Sequence, residues 1–66
     1  MKIKLYYLGS FESEFQNQKY KVSRFIDPNS LTIIYGTNLD VILKDNTIVE
    51  CIIGIKRNKL VVEKVL

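Results

Sequence analysis

The 66-residue sequence predicts an all-β fold: one small barrel of five or six strands with no substantial helix. Three observations lead there. Tyrosine, lysine and β-branched residues alternate with a period of two along most of the chain, the spacing of half-buried strands. Short turn signals interrupt that alternation, at Gly9-Ser10, Asp27-Pro28-Asn29-Ser30, Gly36-Thr37-Asn38, Asp45-Asn46 and Arg57-Asn58. Finally, the last strands are apolar on both faces, with Val49, Cys51, Ile53 and Ile55 opposed to Ile48 and Ile52, so an open sheet would leave one row in water.

Lys2 to Leu8 places Ile3, Leu5 and Tyr7 on one side and Lys2, Lys4 and Tyr6 on the other, which is a first strand ended by Gly9. Phe11 to Gln18 is polar apart from two phenylalanines and reads as a long hairpin loop, with Phe11 and Phe15 folding back to cap the open end of the barrel. From Lys19 the alternation resumes, with Tyr20, Val22 and Ile26 assigned inward and Lys19, Lys21, Ser23 and Phe25 outward. Arg24 then falls on the apolar side, which suggests an edge or barrel-mouth position. Asp27-Pro28-Asn29-Ser30 stops this strand, because Pro presets φ while Asp and Asn cap backbone groups.

Leu31 to Tyr35 forms a third strand and Leu39 to Lys44 a fourth. Asp45-Asn46 tolerates positive φ and predicts a tight hairpin into a fifth strand, Thr47 to Ile55. Gly54 inside that strand marks a bulge or the bend that a small barrel needs. Arg57-Asn58 turns the chain into the last strand, Leu60 to Leu66. Closure of a small Greek-key, OB-like or SH3-like barrel hides both apolar rows, as would a second sheet or a homodimer. No repeat, low-complexity stretch or linker divides residues 1–66, so the expectation is one domain.

At this size folding buries only about 60% of the surface that the unfolded chain exposes. Hydrophobic residues make up 47% and charged residues 26%, the proportions of a globular chain with a core. No stretch resembles a signal peptide or spans a bilayer, so the expected setting is cytoplasmic, with no membrane partner. Cys51 has no partner for a disulfide and no histidine to activate it, and reads as a small apolar core residue.

Catalysis finds no support in the inventory. Histidine is absent, which removes the usual general base and the commonest metal ligand. Glu12 and Glu14 read as solvated loop residues; the glycines at 9, 36 and 54 are too far apart for a phosphate loop, and one cysteine cannot hold zinc. The expectation is a non-enzyme with no catalytic residue, metal site or cofactor.

The net charge of +3 gains meaning from its distribution. If the first two strands pair, Lys2, Lys4 and Tyr6 lie beside Lys19, Lys21 and Phe25 on one face, with Lys56, Arg57 and Lys59 extending the track from a hairpin tip. Cations among flat rings are what a sequence-tolerant binder of single-stranded nucleic acid uses. The structural alternative is a Tyr6–Phe25 cross-strand pair with a solvated lysine face. A second surface, Phe11-Glu12-Ser13-Glu14-Phe15, has the aromatic and acidic make-up of a loop that docks on a protein, as in an inhibitor or adaptor of a host or defence protein, and an exposed strand edge offers the same role.

The closing segment, Val49 to Leu66, is similar in pattern to the last hairpin of small OB-type single-stranded-DNA-binding proteins of phages and mobile elements, which also end in a basic turn and an apolar strand. Val41 to Asn46 equally resembles the strand-turn of Sm-like barrels. The two likenesses point to different families, and neither assigns one. A composition rich in Ile, Lys, Asn and Tyr, with no Ala, Trp or His, fits an AT-rich genome and a phage or mobile-element product.

Overall fold

A computed structural model describes all 66 residues and contains five strands: β1 (Lys2–Phe15), β2 (Gln18–Ile26), β3 (Ile33–Thr37), β4 (Ile48–Lys56) and β5 (Lys59–Val65). They close into a barrel in the order β1-β2-β3-β5-β4, with β1 returning to pair with β4. All neighbours are antiparallel except β3 and β5, which run parallel with Tyr35 opposite Val61. Of the two barrel types expected, this order is the OB-like one. No helix is long and apolar enough to cross a membrane.

Closure depends on β1 serving two neighbours. Lys2 to Tyr6 pair with Ile52 to Ile48 of β4, while Tyr6 to Phe15 pair with Ile26 to Gln18 of β2. The strand changes course at Gly9, where the β1–β2 register slips between Tyr7 and Gly9 and φ is +108°. A side chain there is strained, so glycine is required for the bend. Beyond it β1 runs straight through the segment expected to be a loop. It ends in a two-residue turn at Gln16 (φ 51°) and Asn17 (φ 63°), the geometry that matches the twist of paired strands. Arg57 (φ 51°) and Asn58 (φ 63°) repeat this turn between β4 and β5, as expected.

The expected fourth strand is not formed. Residues 39–44 have no strand partner; instead the half-buried Leu39 and Leu43 pack against the core. Asp45-Asn46 is accordingly a turn leading into β4, with Asn46 donating its N–H to the Tyr7 carbonyl, and not a hairpin between two strands. The Asp27-Pro28-Asn29-Ser30 turn forms as expected, with the Asn29 N–H donating to Asp27 Oδ1 at 2.9 Å. Gly54 sits in regular register opposite Val61; the bulge lies at Glu63, whose side chain folds over the hydrogen face of Gly54.

Every strand contributes to one core: Leu5 and Tyr7 from β1, Phe25 from β2, Ile34 from β3, Cys51 and Ile53 from β4, and Val62 from β5. The Tyr7 and Phe25 rings pack tilted, with centroids 5.4 Å apart, an arrangement that favours ring edge against ring face. Phe25 and Ser23 therefore point inward, which corrects the assignment of β2. The physical reason is Ser23, buried yet satisfied: its hydroxyl is 2.8 Å from Ser10 Oγ, which in turn pairs with the Tyr7 hydroxyl. A hydrogen-bonded serine is tolerated inside at little cost. Arg24 is thereby released to the outside, and Tyr20, Val22 and Ile26 turn outward with it.

Candidate functional site

Residues directly opposite each other in a ladder share a face, so the register assigns the outer surface row by row. Starting at the hairpin tip, the outward rows of β1, β2 and β3 are Phe15–Gln18, then Ser13–Tyr20, then Phe11–Val22–Thr37. Next come Gly9–Arg24–Tyr35 and Tyr6–Ile26–Ile33. Five aromatic residues thus lie along one continuous face. Phe15 (64% exposed), Phe11 (47%) and Tyr35 (47%) are open to solvent, while Tyr6 and Tyr20 are half-buried. Arg24 is exposed at the middle of the strip, directly across the ladder from Tyr35.

No carboxylate occupies any of those ladder positions. Glu12 and Glu14 point to the opposite face of the hairpin, where they stand across from Lys21 and Lys19. This segregation follows from the period of two: once Phe11, Ser13 and Phe15 face one way, the intervening glutamates face the other. At the far end of the strip the β4–β5 turn contributes Lys59, which with Leu60, Thr32, Ile33 and Tyr35 lines a shallow apolar depression. Arg57 and Lys56 belong to the same turn and are exposed.

The face expected from the sequence does not assemble. Phe25 is fully buried and offers no ring to a ligand. Lys2 and Lys4 stand beside Ile52 and Glu50 of β4 and not beside β2, because β1 pairs with β4 ahead of its bend. Lys2 lies 3.9 Å from Glu50, an exposed pair that contributes little stability. Lys19 and Lys21 are exposed on the glutamate-bearing face, where Lys21 Nζ donates to the Val41 carbonyl at 3.1 Å and ties down the 39–44 segment. Tyr6 keeps its outward position and joins the new face. Phe11 and Phe15 do not cap the barrel; they are exposed on a projecting hairpin.

Sequence reasoning missed Tyr20, Arg24 and Tyr35. The available signal was the dipeptide Gln16-Asn17: treated as a two-residue turn, it fixes Phe15 opposite Gln18 and Phe11 opposite Val22, and the whole outward set follows. No protein-family model, curated protein or solved structure matches the chain.

Proposed function

We propose that this barrel binds single-stranded nucleic acid along the outer face of β1, β2 and β3. One observation carries the reading: an acid-free strip in which Phe15, Tyr20, Phe11, Tyr35 and Tyr6 are held in ladder register around the exposed Arg24. Bases stack on the rings with little sequence preference, at about 1–3 kcal/mol per base, and Arg24 neutralises phosphate or stacks on a base itself. Lys59 and Arg57 continue the cationic path at the β4–β5 turn. The outer β2–β3 face with its flanking turns is also the surface that OB-type barrels commonly use for oligonucleotides, which supports the reading by analogy.

The test is fluorescence anisotropy of a labelled single strand of about 16 nucleotides, the upper site size for one such barrel. Binding is expected at low salt. Tyr35→Ala weakens it by roughly 5- to 150-fold, the equivalent of one lost stack, whereas Lys2→Ala and Lys4→Ala, on the β4 side, change it little. Unchanged anisotropy at low salt, or equal losses from the β4-side and Tyr35 substitutions, counts against the proposal.

A second reading is a protein-binding module that accepts a strand along the outer edge of β1. Its support is that Phe11 and Phe15 are exposed and that β4 leaves β1 beyond Tyr6. Under this reading, a pull-down partner lost on Phe11→Ala and Phe15→Ala survives Tyr35→Ala.

A further inference from the structure

The hairpin edge supplies backbone groups that no strand of the barrel uses. Lys21 donates its N–H to Asn38 Oδ1 at 3.0 Å, and its carbonyl accepts from the Asn38 N–H at 2.8 Å, so both of its backbone groups point away from β1. Glu12, its ladder partner, is therefore at a non-bonded position with respect to β2, and its own N–H and C=O point to the free side. Alternation gives Ser10 and Glu14 the same orientation. β4 pairs with β1 only from Lys2 to Tyr6, so this stretch is a sheet edge left open on the hairpin that extends beyond the closed barrel.

The residues along that edge, Phe11-Glu12-Ser13-Glu14-Phe15, read the same in both directions. Two-fold pairing of identical strands sets each residue i against j and j against i whatever the sequence; here the repeat of residue types about Ser13 means that such pairing sets phenylalanine against phenylalanine. We propose that two copies of this chain pair antiparallel through this edge, with Ser13 on the two-fold axis. In that register Glu12 and Glu14 of one copy exchange backbone hydrogen bonds with Glu14 and Glu12 of the other. Phe11 meets Phe15 of the second copy at a non-bonded pair, where side chains approach most closely.

The phenylalanine pairs lie on the outer face, so the two aromatic strips merge into one across the axis. On the reverse face the order across four strands is Lys21, Glu12, Glu14 of the second copy, then Lys19 of the second copy. Each carboxylate thus retains a lysine directly opposite on its own hairpin, and the row carries no net charge. The facing glutamates weaken the pairing without forbidding it, as like charges opposite each other in a ladder do. Added salt screens that repulsion, so self-association strengthens with salt, the reverse of nucleic-acid binding. The inference is independent of the nucleic-acid reading, and either can fail alone.

Sedimentation equilibrium between roughly 10 μM and roughly 1 mM tests it. The mass is expected to rise from 7.7 kDa toward twice that value. Glu12→Gln combined with Glu14→Gln tightens association roughly tenfold. Glu12→Pro removes an edge N–H that β2 does not use and holds the chain monomeric with its circular dichroism intact. Ser13→Cys fixes the register: mild oxidation links two copies at the axis, whereas cysteine at Ser30, on the β2–β3 turn, does not. A wild-type monomer at every concentration, a dimer that persists in folded Glu12→Pro, or equal cross-linking of the two cysteine variants overturns the proposal.

Discussion

At the scale of the residue, β2 turns on the choice between Phe25 and Arg24. The run Lys19 to Ile26 offers two registers, one burying Tyr20, Val22, Arg24 and Ile26, the other burying Ser23 and Phe25. Counting apolar residues favours the first, and the fold adopts the second, because an inward arginine costs far more than an inward serine that finds a hydroxyl partner. Phe25 is thus a core residue in contact with Tyr7. Phe25→Ala is expected to destabilise the protein by about 3–5 kcal/mol, a large part of the roughly 5–15 kcal/mol available to a small domain. Urea unfolding measures this directly. Cys51 was legible as a core residue, and burial pushes its thiol from an ordinary 9.0 up to about 11. The sign follows: the folded state holds the thiol proton more tightly, so folding stability is unaffected by this group below pH 9 and declines as pH rises toward about 11. At neutral pH a thiol reagent is expected to label the native protein slowly and the urea-unfolded protein at once.

At the scale of the element, strand existence was more legible than strand extent. β4, β5 and the Arg57-Asn58 turn stand within a residue or so of their expected places, because alternation and a positive-φ dipeptide agree there. β1 was read as half its length. Its second half, Phe11 to Phe15, carries polar residues on both sides of the alternation in sequence and gains its order from β2 alone. Conversely, Leu39-Val41-Leu43 has a strand's spacing but no neighbour to pair with, and packs Leu39 and Leu43, half-buried, against the core. Period two states which side chains want burial; it does not state that a ladder partner exists. Gly9 makes the longer β1 workable. A β-carbon at Gly9 would meet the Asp45 carboxylate at 3.6 Å, an ordinary contact, so the penalty for Gly9→Ala is conformational and is expected to be about 1–3 kcal/mol. Paired denaturation curves check it. Gly36 differs: a β-carbon there would come within 3.1 Å of the Val62 carbonyl, a backbone neighbour that cannot swing aside.

At the scale of the whole molecule, charge distribution was only partly legible. Net charge and the basic β4–β5 turn were readable, but which cations share a face depends on the bend at Gly9, and no local pattern encodes that. The cations that adjoin the aromatic strip reduce to Arg24 and Lys59, with Arg57 on the turn that precedes Lys59 and with Lys2 and Lys4 directed to the β4 side. Under the proposed nucleic-acid reading, neutralisation of about three phosphates by these cations is expected to give a slope of about −2 in a log–log plot of single-strand affinity against salt. A slope near zero would mean that stacking alone holds the ligand.

The barrel's staves are unequally fastened. Four of its five seams are antiparallel ladders of five or more paired positions, whereas β3 meets β5 at the single paired position Tyr35–Val61. With the fewest paired positions, that junction is expected to open most readily, so amide deuteration there should outpace that of the β1–β2 ladder. Tyr35 and Lys59 lie on either side of it, so a guest gripping both acts as a rivet, and its arrival should register first as slowed solvent exchange at this joint.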